Sequence, residues 1–357
     1  WKINKRSDFR AQILGSTSRN FFYHPELDDA PYQTGNGVSW NYEYTFTNKN
    51  YNWGVGGDGT SNNFRADVGF TRRTNSMQNY VYFNLNSDPR PKAFVIAKHL
   101  GSSFGYRNDF SGRLQGWGWD VNVDINLRGN TSLGGGISIG PEKIYEEEFG
   151  AKRSAARQGA FYGAPFRNSF QSGGYAYFNK QFSKRVSISS DFNLGFGSFD
   201  YDFGGGLDYP RVSPAALALG QNAPLDPGGG TSIAYDASLA LKPTDKFSLS
   251  LDYNRSRLKR SDTHLLAFDS NIYSLHTTYQ FSRFVNLKAR IDYDTLGHRV
   301  FGQYTFGWTP SVGKAIYIGY NDNWDYKGFE FGQRQPGLLQ LNRTFFIKLS
   351  YLIRKSF

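Results

Sequence analysis

Strict alternation of apolar and polar residues, in segments of about ten residues, constrains this chain more than any other feature. In residues 38–46, Val38, Trp40, Tyr42, Tyr44 and Phe46 fall on one face of a strand, and Ser39, Asn41, Glu43 and Thr45 on the other. The pattern returns with Trp117, Trp119, Val121, Val123 and Ile125 against Gly118, Asp120, Asn122 and Asp124. It returns again with Val186, Ile188, Phe192, Leu194 and Phe196 against Ser187, Ser189, Asp191 and Asn193. Further copies lie at 233–241, 247–253, 273–281 and 285–293. No stretch approaches the roughly 18 to 20 consecutive apolar residues that a spanning helix needs.

A soluble sandwich alternates too, so the joints between segments must decide. Strands are expected at 7–17, 37–47, 50–59, 76–86, 92–105, 113–127, 130–142, 168–180, 185–199, 231–241, 246–256, 269–281, 285–296, 300–309, 313–323 and 342–354. The even-numbered joints are short: Asn48-Lys49, Asp88 to Pro91, Arg128-Gly129, Gln181 to Lys184, Pro243 to Asp245, Ser282 to Phe284 and Pro310 to Val312. Joints one, three, seven, nine, eleven and fifteen run to about ten to thirty residues, while five and thirteen are shorter. Loops sorted by length onto opposite ends, with an even strand count, are the pattern of a transmembrane antiparallel up-and-down outer-membrane β-barrel of about sixteen strands. The 31 Phe, 24 Tyr and 7 Trp supply interfacial girdles, and the 40 Gly supply tight turns. Residues 1–357 are expected to form this single all-β domain in the bacterial outer membrane, with both termini periplasmic.

The absence of Cys removes disulfide scaffolds, thiolate metal sites and cysteine catalysis. The net charge of +11 permits anionic partners, but no helix-turn-helix, RNA-recognition signature or long basic block points to nucleic acid. The chain opens at Trp1-Lys2-Ile3 without a signal peptide, as expected where a leader has been removed or the numbering starts inside a longer precursor.

The segment Asn63-Phe64-Arg65-Ala66-Asp67-Val68-Gly69-Phe70-Thr71-Arg72-Arg73 resembles a bacterial family of unknown function, in which a secreted, carbohydrate-binding-like module precedes an outer-membrane barrel. Arg343 to Arg354 looks like that family's closing strand. The resemblance implies that the chain is the barrel half, without the N-terminal module, and it brings no established activity. Phe345, Ile347, Leu349, Tyr351 and Ile353 alternate before a terminal Phe357, similar to the signal read by the outer-membrane insertion machinery.

Polar positions opposite the apolar faces are expected to line the lumen: Asp120, Asn122, Asp124, Asp191, Asn193, Asp236, Asp252, Lys288, Arg290 and Asp292. About sixteen strands leave room for an aqueous channel. The joint from Tyr201 to Gly230 carries an apolar centre, Ala215 to Leu219, which needs cover. It either folds into the lumen or docks on a partner protein. Arg65, Asp67, Arg72 and Arg73 form a candidate gate held by Arg–Asp pairs. Arg255, Arg257 and Lys259 continue an outward register above the membrane and are candidates for lipopolysaccharide contact. His24, Glu26, Asp28 and Asp29 match no metal-loop spacing, so no metal or other cofactor is expected. Ser274 and His276 share a strand face, yet no catalytic motif is present and no enzyme is expected.

The expected function is a porin-like channel for small polar solutes, weakly anion-selective from the net charge. The rival is a structural anchor or subunit of an outer-membrane complex with a plugged lumen, bound to other outer-membrane or surface proteins. Active uptake by a TonB-dependent transporter is disfavoured, because no globular plug of about 100 residues is present and the strands fall short of roughly twenty-two.

Overall fold

The computed structural model describes all residues except 25–28, 66–72, 327–328, 331–332, 335–336 and 353–357. Strands β1 (Ser7–Phe21), β2 (Tyr32–Thr47), β3 (Tyr51–Thr60), β4 (Ser76–Asn86), β5 (Val95–Asn108) and β6 (Leu114–Leu127) open the chain. Next come β7 (Thr131–Tyr145), β8 (Phe166–Ser183), β9 (Val186–Asp200), a short helix α1 (Pro214–Leu219), β10 (Gly228–Thr244), β11 (Phe247–Arg260) and β12 (Leu266–Ser282). The last are β13 (Val285–Asp294), β14 (Arg299–Ser311), β15 (Lys314–Asp325), the two-residue strands β16 (Phe329–Glu330) and β17 (Gln333–Arg334), and β18 (Leu339–Tyr351). β1 to β15 and then β18 form one sixteen-stranded antiparallel sheet, each strand beside its sequence neighbour, while β16 and β17 pair only with each other. The fold is that of an outer-membrane β-barrel.

Apolar side chains hold one face from strand to strand. Trp117, Trp119 and Val123 share it with Phe192, Phe196, Tyr253 and Tyr273, and many of these large groups are exposed, as side chains meant for lipid are. The buried apolar residues among those described are Ile144, Phe161, Phe199, Val212, Ala215, Ala216, Leu258 and Ala267. All lie in or beside the long joints. The packed core of this molecule is a cap at one end of the sheet.

β4 occupies its expected bounds, but several strands extend past theirs at the long-joint end. β2 starts at Tyr32, β10 at Gly228, and β11 runs on to Arg260. The eleventh joint, expected to be long, is therefore only 261–265. Above the hydrocarbon a ladder needs no alternating side chains, so Gly228 to Gly230 can pair with Asp200 to Ser198 although the sequence there reads as loop. At the other end the joints are tight; at 128–130, Gly129 and Asn130 both take positive φ, +81° and +52°.

β1 and β18 close the strand order; among the described residues each has one partner strand, and the other edge of β1 is met at Phe9 by Trp1, which bonds its N–H and C=O at 2.8 and 2.6 Å. A row of open N–H and C=O groups in hydrocarbon is costly. The two rows are compatible with each other. Both strands carry apolar residues at odd positions, Phe9 and Ile13 against Phe345 to Tyr351, and they run antiparallel, with Ser7 and Tyr351 both at the short-joint end.

Candidate functional site

All ten polar residues expected to share a face do so by register. Asp120 stands across from Ser138, Asp191 from Asp236, and Asp252 from Ser238 and Ser274; Lys288, Arg290 and Asp292 pair with Thr278, His276 and Ser274. Local bonds hold several in place. Asp124 accepts from Tyr177 Oη at 2.5 Å and Asn122 Nδ2 at 3.1 Å; Asp252 accepts from Ser238 and Ser250; Asn254 donates to Asp236; Arg290 Nε lies 2.7 Å from Asp292. His276 Nδ1 lies 3.7 Å from Asp252.

The joint 201–227 folds back over this polar face. Within it, Arg211 donates to Asp202 at 2.5 and 3.1 Å and to three carbonyl oxygens, those of Gln221, Ala223 and Pro224. Ser213 caps α1 by accepting from Ala216 N, and Asp226 accepts from Ala215 N. Two polar-face arginines then grip the joint from the sheet. Arg167 on β8 donates to Asp226 at 3.0 Å and to Pro227 O at 3.1 Å. Arg260 on β11, 1% exposed, donates to Asp200 at 2.8 Å, Asp262 at 2.7 Å and Asp226 O at 2.9 Å. Val212 packs on Leu258 and Phe268, both polar-face positions. Ala215 and Ala216 are buried, while Leu217 and Leu219 stay exposed.

The joint 146–165 packs beside it, with Phe161 in a cluster with Ile144 and Phe199 and bridged to Leu225. Three successive carboxylates tie this cap together. Glu146 accepts from Arg153 Nη2 at 2.9 Å, Glu147 lies 2.5 Å from Arg113, and Glu148 lies 2.7 Å from Arg73. Burial pushes the Glu146 carboxyl up, but hydrogen bonds and charge from Arg153 outweigh it and hold the group below its ordinary value.

Arg73 pairs with Glu148 and lies 3.8 Å from Glu142, and the backbone N–H of Arg65 donates to Ser16 at 3.0 Å. Asp67 and Arg72 lie outside the described residues, as do Glu26, Asp28 and Phe357. Among the described residues no three metal-ligating side chains gather. Arg255, Arg257 and Lys259 keep the register of Tyr253 on the apolar face. Arg255 is bidentate to Asp269 at 3.0 and 2.8 Å, and Arg257 Nε lies 3.8 Å from the same carboxylate.

No family model and no curated protein matches the chain. Solved structures do. The FrpB iron transporter of Neisseria meningitidis is 12% identical, with a TM-score of 0.50 over 99% of this chain and 60% of that one. The copper transporter OprC is 8% identical, with a TM-score of 0.49 over 99% of this chain and 70% of that one, and the monoaromatic hydrocarbon channel CymD is 13% identical at 0.25 over 97% and 87%. At such identity the likeness to FrpB carries the fold alone, and the chain spans less than two thirds of FrpB's length.

Proposed function

We propose that the protein is a gated channel for small polar solutes, with the polar face as its lumen and the joint 201–227 as its constriction. One observation carries this reading: the joint's contacts with the sheet run through the polar-face residues Arg167, Arg260, Leu258 and Phe268. In this orientation the apolar face meets lipid, the long joints are extracellular, and the termini are periplasmic. Single-channel recording in a planar bilayer tests it. Small steady currents are expected from the whole chain and larger ones after deletion of 204–222. Silence from both would leave the plugged structural anchor, which the buried Arg260 clasp also fits.

The same orientation sets Arg255, Arg257 and Lys259 at the outer rim, facing lipid phosphate. Asp269 occupies Arg255 and also draws Arg257, but leaves Lys259 exposed. Charges at this height cost about 0–1 kcal/mol each, against roughly 2–4 at mid-membrane. Replacing all three with Ser is expected to lower the lipopolysaccharide retained on purification; an unchanged amount on folded barrel would remove the contact.

A further inference from the structure

Between β4 and β8 the polar face is floored by the smallest side chains in the sheet. Gly105, Gly116, Gly118 and Gly140, with Ser103 and Ser138, leave a trough of about 500 Å³. Gly118 lies at its open centre, where an added Cβ would meet no atom within 4 Å. The β6–β7 ladder is interrupted there: it pairs Gly116 with Glu142 and resumes at Trp119 with Ile139, and Pro141 has no N–H to offer.

Tyrosines lie down along the sheet on both sides of this floor. Tyr80 and Tyr82 are stacked, with centroids 6.4 Å apart and planes at 25°. Their ring tips reach over Gly56 and Gly54, where an added Cβ would lie 2.5 and 2.6 Å from the rings. Tyr175 and Tyr177 reach over Gly136 and Gly134 in the same manner, at 2.7 and 2.6 Å. Glycine on the neighbouring strand is what lets each ring lie flat. Along the trough stand carboxamides and charges of both signs: Gln78 accepts from Arg107 at 3.0 Å, Gln171 donates to Glu142 at 2.8 Å, and Asp120 completes the lining.

We infer that this trough is a binding subsite for a short neutral oligosaccharide. A flat ring offers a sugar's C–H face a broad apolar contact, while carboxamide and carboxylate groups supply the adjacent donors and acceptors that vicinal hydroxyls require. Arg107 shares the lining with two carboxylates, Asp120 and Glu142, so the lining holds no surplus of positive charge for an anionic solute. The strands around it are paired on both sides, so an extended peptide finds no edge to join. The inference rests on the reading of this face as the lumen of a channel.

Isothermal titration of the purified barrel with maltotriose, cellotriose and chitotriose, with triglycine and inorganic phosphate as controls, tests it. At least one trisaccharide is expected to bind, Tyr80→Ala to weaken it about tenfold, and Gly118→Leu to abolish it by filling the trough. Because Gly118 borders open space, that variant is expected to fold, as its heat-dependent migration on SDS gels reports. No trisaccharide binding to folded barrel, equal binding by Gly118→Leu, or equal binding of triglycine would overturn the subsite. Binding without any ion current would overturn the channel reading and leave the subsite standing.

Discussion

Arg260 is the residue on which the cap most depends. Its guanidinium is enclosed between the carboxylates of Asp200, at the end of β9, and Asp262, in the next joint, and the backbone oxygen of Asp226, so four of its five donors are used. Arg260→Met would leave Asp200 and Asp262 uncompensated, loosening the cap by on the order of 3 kcal/mol. Faster proteolysis within 203–211 at unchanged strand content is expected; equal resistance would show that Arg167 suffices. Glu146 sets a pH limit on the same cap. Its folded-state pKa is lowered, so its contribution is fully present above about 4.3, the ordinary glutamate value, and is lost as pH falls further through the folded value. Channel current is therefore expected to stay flat from pH 7 to about 5 and to rise below 4, with the rise absent in Glu146→Gln. The run Glu146 to Glu148 was in plain view in the sequence. Carboxylates in a loop carry no periodic signal, however, and their partners, Arg153, Arg113 and Arg73, come from three different joints.

At the scale of elements, alternation located the strands because membrane and lumen impose opposite demands on adjacent residues. Its bounds missed at strand ends: at Gly228 to Gly230 and Arg257 to Arg260 hydrogen bonding alone extends the ladder, and at the short joints β8 and β10 run on to Ser183 and Thr244 while β5 starts only at Val95. Charge is a second case in which the total misleads. The chain is +11, but Lys49, Lys184, Arg185, Lys242, Lys246 and Arg283 lie at the short joints, and Arg290 is paired with Asp292. β6 and β9 to β11 present Asp120, Asp124, Asp191, Asp236 and Asp252 on the polar face. The structure thus moves the expectation from weak anion to weak cation preference, which a reversal potential in a salt gradient reads directly. An anion preference would mean that Lys288 dominates the narrowest passage. The glycine–tyrosine pairs make a further demand on β7. Gly134→Val would place a Cβ 2.6 Å from Tyr177 and 2.7 Å from Val123 O. It is expected to lower the temperature at which the barrel unfolds on SDS gels, while Gly118→Val leaves it unchanged.

At the scale of the whole molecule, up-and-down order converts loop length into geography. Each odd joint falls at one end of the sheet and each even joint at the other, so one labelling experiment addresses the orientation of all of them. Pro224 lies in the cap, within the joint 201–227, whereas Thr244 ends β10 at a short turn. An epitope inserted at Thr244 is expected to stay unlabelled on intact cells and to become accessible once the outer membrane is opened. The Pro224 site needs more care, because Arg211 donates to Pro224 O and Phe161 is bridged to Leu225. An insertion there works against the clasp, so the tag is expected to be accessible on intact cells and current to rise in the same variant. Labelling at both sites on intact cells would refute the orientation. Labelling confined to Thr244 would invert it, placing the cap, the trough's outer mouth and the Arg257–Lys259 rim on the periplasmic side.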